Sequence, residues 1–273
     1  MDLIEPVKQL IQEVENATGK PVEFKEVSSD RLYGGGSMNV TRAFGKTPAH
    51  IIRHVHDVTF PQFFVSHECL HILRITSVPV DQRLTIKDNP KTVKNGFRIL
   101  FGVTHDPFQI PKSAFATYNE LRGLILSGTL SSGIQDLWVD QEILRRYPDT
   151  LISEELFEAY QEWSETKLND DLNLDKSIFS DKCFEIINAT NWGTLNIARS
   201  GFIQDSSKAL ALFDSHPDIV SLGHQLVDVV QKHSLSSYKN DMDIIDEWAT
   251  ILGIRSCYFW RNPETKKDVW VRN

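Results

Sequence analysis

The segment Phe63-Phe64-Val65-Ser66-His67-Glu68-Cys69-Leu70-His71-Ile72-Leu73-Arg74 constrains the fold of this chain more than any other. In an α-helix, residues four apart stand on one face about one turn from each other. His67 and His71 then aim two imidazole nitrogens at one point, while Val65, Cys69 and Ile72 make an apolar stripe on the opposite face. Such a helix needs a core behind it and a cleft in front. The pattern predicts a helix from about Pro61 to Arg74, packed on its apolar back.

The chain can supply that core. Its 273 residues are 41% apolar and 24% charged, close to globular averages, and suffice for one large domain or two small ones. A formal net charge of −8 argues against a nucleic-acid partner, because phosphate contacts need a concentrated basic surface. No apolar run approaches the roughly 18–20 residues that span a bilayer. Met1-Asp2-Leu3-Ile4-Glu5 lacks the basic-then-apolar order of a secretory signal. Cys69, Cys183 and Cys257 are scattered and fit no paired spacing. The expectation is a cytoplasmic protein with no membrane partner, in which the sequons at Asn39 and Asn188 carry no meaning.

Residues 3–17 have helical spacing, 21–27 alternate like a strand, and Gly34-Gly35-Gly36 marks a turn without the Lys-Ser/Thr ending of a phosphate loop. A second strand is expected over His50–Val58 ahead of the histidine helix. Residues 76–115 look like a long irregular excursion with one apolar segment at 97–103. Helical pattern resumes at 118–126, breaks near Ser127-Gly128, and returns over 134–147 until Pro148. Further helical pieces are expected near 152–168, 178–190, 205–213, 217–233 and 242–252. A terminal hairpin is expected between Ser256–Arg261 and Val269–Arg272. The fold class is α+β, mainly helical with a small N-terminal sheet. Residues 1–150 form the expected catalytic region and 151–273 a helical C-terminal region packed with it as one domain.

The spacing carries chemistry as well as fold. Two histidines on one face can share a tetrahedral cation. Glu68 is turned by about 100° from His67, beside the metal but offset from direct coordination. There a carboxylate can take a proton from the attacking water and hand it to a leaving group. Cys69 points about 160° away from His71 and reads as a small core residue, not a ligand.

The segment 63–74 resembles the active-site helix of the zincin metallopeptidases, which carry an HExxH signature. The resemblance extends to the strand around His50–Val55, similar to the edge strand along which such enzymes lay an extended substrate. It implies zinc as cofactor, His67 and His71 as ligands and Glu68 as general base. The form with a third histidine is absent, since Arg74 and Ser77 stand where that motif continues. Similarity to the gluzincins implies a second helix with a carboxylate ligand and, four residues later, an Asp bracing one histidine. Asp136 and Asp140, in Ile134-Gln135-Asp136-Leu137-Trp138-Val139-Asp140, fit those two roles, with Asp140 on His67. Asp in place of the usual Glu demands a closer approach of that helix. Glu120, Asp106 and His105 are the alternatives, together with Asp140 itself on the metal. Acidic pairs on a helix face usually meet solvent, but the apolar company of Ile134, Leu137, Trp138, Val139, Ile143 and Leu144 implies burial here.

Tyr118, His105, Tyr147 and Arg74 are candidates to stabilise an oxyanion, although an ordinary structural role is commoner for each. His50, His54 and His56 read as an exposed polar strand face. The expected activity is zinc-dependent hydrolysis of a peptide or protein substrate. A regulatory protein on a degenerate zincin fold and an amidase acting on a non-peptide substrate are the rivals.

Overall fold

The computed structural model describes residues 1–28, 38–173, 179–198 and 207–269. The architecture is mainly helical α+β, with two three-stranded sheets among the described residues. The contacts divide the chain into two compact units: 1–84, 138–159 and 262–267 in the first, the remaining described residues in the second. The Gly34-Gly35-Gly36 turn and the last residues of the expected hairpin strand, 270–272, lie outside the described residues.

In the first unit, α1 (Glu5–Thr18) buries Val7, Leu10 and Val14 and ends where Gly19 adopts φ +65°, a left-handed conformation natural to glycine. Strands β1 (Val22–Glu26), β2 (Met38–Thr41) and β3 (His50–His54) form a sheet in the order β1-β3-β2. β3 runs parallel to β1, with Val22 opposite His50, and antiparallel to β2, with Val40 opposite Ile52. Helix α2 (Pro61–Thr76) follows, carrying the histidines.

Two expectations fail at β3. It is the central strand, paired on both sides, so it is no open edge for an extended substrate. Its histidines are also not an exposed face. His50 is 1% exposed beside Ile52, His54 is half-buried, and only His56, beyond the strand end, faces solvent. Burial of His50 is tolerable because both ring nitrogens are engaged. Nδ1 accepts from the Ala43 amide at 3.0 Å, which leaves Nε2 to donate to the Thr18 hydroxyl at 3.2 Å.

Burial, then the nearby Lys20 and Arg42, lower the His50 pKa from 6.5 to about 4. Below 6.5 the unfolded chain binds this proton and the folded chain does not, so stability falls as pH drops from 6.5 to 4. The shift is on the order of 3 kcal/mol. In urea titrations at pH 7 and pH 4.5, His50→Asn is expected to lose much of the wild-type pH dependence. An unchanged dependence would discard the assignment.

The second unit opens with β4 (Thr85–Lys87) and α3 (Pro90–Phe101). This helix occupies the middle of the stretch 76–115, where an irregular excursion was expected. Asn89 caps it, accepting from the Lys91 and Thr92 amides, while Thr92 Oγ1 accepts from the Asn89 amide. Val93, Gly96, Phe97 and Leu100 form its buried stripe. Helix α4 (Lys112–Gly123) runs without a break into a π-helical stretch (Leu124–Ser132) and then α5 (Gly133–Arg146). Ser127 and Gly128 are exposed, but Ile125, Leu126 and Leu130 are buried and hold the stretch helical in a widened turn.

The unit boundary falls within α5 and again within α6 (Leu151–Glu162). The chain continues through α7 (Leu168–Leu172), α8 (Asp181–Ala198), α9 (Ser207–Ala211), α10 (Pro217–His233) and α11 (Tyr238–Ile251). Helices α8 and α10 approach closely at Gly223, where a Cβ would stand 2.3 Å from the Trp192 ring. Strands β5 (Phe259–Arg261) and β6 (Asp268–Val269) pair antiparallel, as expected of the terminal hairpin. β4 adds to the outer side of β5, with Ile86 opposite Trp260. Asn262 shapes the turn by accepting from the Glu264 and Thr265 amides.

Candidate metal centre

Helix α2 is more deeply buried than its apolar stripe alone requires. Val65, Cys69 and Ile72 are fully buried, as are Ser66 and Leu70. On the histidine face, His71 is 5% exposed and the His67 side chain 14%. Burial pushes the Cys69 thiol well above its ordinary pKa, so it stays protonated and packs as a small apolar group. Glu68 is half-buried on the same helix, next to His67.

The two imidazoles meet one turn apart. Their Nε2 atoms are 3.0 Å apart and their rings lie edge to face at 77°. Two nitrogens bound to one tetrahedral zinc at ~2.05 Å would stand ~3.3 Å apart. His67 is held from its other side by Asp140, whose Oδ1 lies 2.9 Å from Nδ1. The Asp140 carboxyl is 2% exposed. A carboxylate oxygen only accepts, so the hydrogen-bond network assigns the proton of neutral His67 to Nδ1 and leaves the Nε2 lone pair pointing at His71. That is the tautomer a metal ligand needs.

Asp136 stands one turn before Asp140 on α5. One ligand atom from each of His67, His71 and Asp136 lies within 4.8 Å of the other two. Among the described residues no other group of three or more His, Cys, Asp or Glu side chains comes together in this way. Glu120 and His105 are exposed and Asp106 is engaged elsewhere, accepting from Lys94 and from the Phe108 amide. The hydrogen bond from the Phe108 backbone N–H, with Lys94 beside it, holds the Asp106 carboxyl below its ordinary pKa. Of the apolar company of α5, Ile134, Leu137, Val139 and Ile143 are fully covered, whereas Trp138 and Leu144 are half-buried.

The donor set fits zinc. Two neutral imidazole nitrogens and a carboxylate oxygen are borderline ligands of the kind zinc takes, and three protein donors leave a fourth position open. The 3.0 Å separation also allows His71 Nε2–H to donate to His67, so the geometry serves the apo protein as well.

The oxyanion candidates are placed differently from one another. Arg74 is 5% exposed and its guanidinium lies 4.2 Å over the Trp138 ring, in the first unit. Tyr147 is half-buried, and burial raises its hydroxyl pKa. Tyr118 stacks on Phe101 in the second unit, with centroids 4.7 Å apart.

Sequence reasoning passed over two side chains that secure the histidine helix. Glu155 of α6, 8% exposed, accepts from the Phe63 amide at 2.8 Å. The Phe63 ring in turn packs edge to face with His67, with centroids 5.5 Å apart at 72°. A signal was present: Phe60-Pro61 opens α2 with no Ser, Thr, Asp or Asn at the N-cap, so an acceptor from elsewhere is required. Comparisons with models of known families, with curated proteins and with solved structures returned no match.

Proposed function

We propose that the protein is a zinc-dependent hydrolase acting on peptide bonds, with His67, His71 and Asp136 as ligands and Asp140 as the brace of His67. The observation that carries this reading is the pair of Nε2 atoms 3.0 Å apart, one of them held by Asp140 in the metal-binding tautomer. Zinc, when bound, supplies Lewis acidity toward a carbonyl oxygen and acidifies water. The chain's own residues do the rest. Asp140 keeps the His67 ring oriented and its Nε2 lone pair available. Glu68 takes a proton from the attacking water and delivers it to the leaving nitrogen.

A base adjacent to the ligands favours catalysis over a structural ion, which has no use for one. The same chemistry would serve a non-peptide amide, so the amidase rival shares this site and differs only in substrate. We place the protein in the cytoplasm. Among the described residues no helix is long and apolar enough to cross a membrane, and all three cysteines are free and buried.

The test is metal analysis of freshly purified chain beside a His67→Ala variant. Wild type is expected to carry about one equivalent of zinc and the variant less than about a tenth. Wild type below that tenth in the absence of chelators would defeat the reading. Stoichiometric iron in place of zinc would overturn the choice of metal.

A further inference from the structure

Helix α2 begins without a cap of its own. Phe60 at the N-cap offers no side-chain acceptor, and Pro61 has no N–H to satisfy. The first free amides of the helix belong to Gln62 and Phe63. Both turn to Glu155, whose Oε2 accepts from Phe63 at 2.8 Å with the Gln62 backbone as a second donor. A carboxylate at that point also meets the positive end of the helix dipole. The Gln62 side chain, 4% exposed, secures the same turn from another direction. Its Oε1 accepts from the Ile4 amide at 3.0 Å and its Nε2 donates to the Asp2 carbonyl at 2.9 Å.

This first turn is the one on which the His67 ring rests. Phe63 is 5% exposed, and its ring and the His67 imidazole pack edge to face. Asp140 holds Nδ1 of His67, the Phe63 ring packs against the imidazole itself, and the Glu155 cap holds the Phe63 backbone in place.

We infer that Glu155 is a positioning residue for the metal centre, capping α2 from another helix so that Phe63 locks the His67 imidazole in its ligating orientation. The inference rests on the zinc reading above, and it adds a role to a residue that acts through the backbone of Phe63. It is a claim about geometry at the metal rather than about stability alone.

Cobalt(II) titration of the full chain tests it, read by visible d–d absorption together with affinity. Glu155→Ala is expected to bind cobalt about tenfold more weakly and with altered band positions, in the range seen when outer partners of ligands are removed. Glu155→Gln keeps an acceptor oxygen and is expected to restore the wild-type spectrum. An Ala variant with wild-type affinity and spectrum overturns the inference, and so does a Gln variant that behaves like Ala. If the Ala variant does not fold, Phe63→Leu decides: it keeps the capped amide and removes the aromatic ring, and an unchanged spectrum overturns the inference. Wild type that takes up no cobalt would instead show that the metal reading itself has failed.

Discussion

Glu68→Gln is expected to lower kcat for peptide hydrolysis by about 10²–10⁴-fold while zinc stays bound. Glutamine has the shape of glutamate and can still hydrogen-bond water, but it cannot take a proton. The loss should therefore fall on kcat with KM little changed, because the group acts in the transition state and not in substrate binding. Glu68 sits on the same turn as His67 without belonging to the His67–His71–Asp136 group, so metal content should match wild type. A fluorogenic peptide library at pH 7, with zinc measured on the same samples, makes the comparison. Wild-type turnover in the Gln variant would remove Glu68 from the chemistry. Zinc-loaded wild type that cleaves neither library peptides nor simple amides would leave the binding-protein rival standing.

Asp246→Ala is expected to destabilise the second unit by about 3–5 kcal/mol. Asp246 on α11 gathers three donors: Tyr258 Oη at 2.6 Å, Trp260 Nε1 at 3.0 Å and the Arg255 guanidinium at 3.0 Å. Tyr258 and Trp260 are 2% and 1% exposed, so loss of the carboxylate leaves a hydroxyl and an indole N–H in the core without their acceptor. Burial, with the Asp246 charge next, holds the Tyr258 hydroxyl protonated far above its ordinary range, so it donates at every working pH. Urea unfolding should show a lower midpoint with an unchanged slope. Asp246→Asn, which keeps an acceptor oxygen, should lie between. A loss under about 1 kcal/mol in the Ala variant would mean that solvent replaces these bonds.

Most helices were legible because their signals are local. Helix α10 spans Pro217–His233, the residues its periodicity predicts, with Pro217 at the start. Helix α3 carries signals as local as these, yet its stretch reads as irregular. Asn89-Pro90, Thr92 and Gly102 bracket it with caps, but the surrounding Pro, Gly and charged residues read as loop. The break expected at Ser127-Gly128 is absent for the opposite reason. Two poor helix formers look like an end, yet burial of Ile125, Leu126 and Leu130 outweighs their propensity.

Positions that depend on distant chain were not legible. His50 alternates with His54 and His56 as surface strand residues do, and nothing nearby states that β3 will be flanked on both sides. Its neutral, buried state follows from that place in the sheet, with Ala43 and Thr18 supplying the ring's partners.

The histidine helix shows where the division lies. Its sequence alone determined that His67 and His71 share a face with an apolar back, because rotation per residue along a helix is a local property. Tertiary structure decided what meets that face. Asp140, 73 residues away, reaches Nδ1 of His67, and Glu155, 92 residues from Phe63, caps the turn beneath it. The approach of one helix to another depends on the summed packing of every side chain between them, and no window of sequence contains that sum.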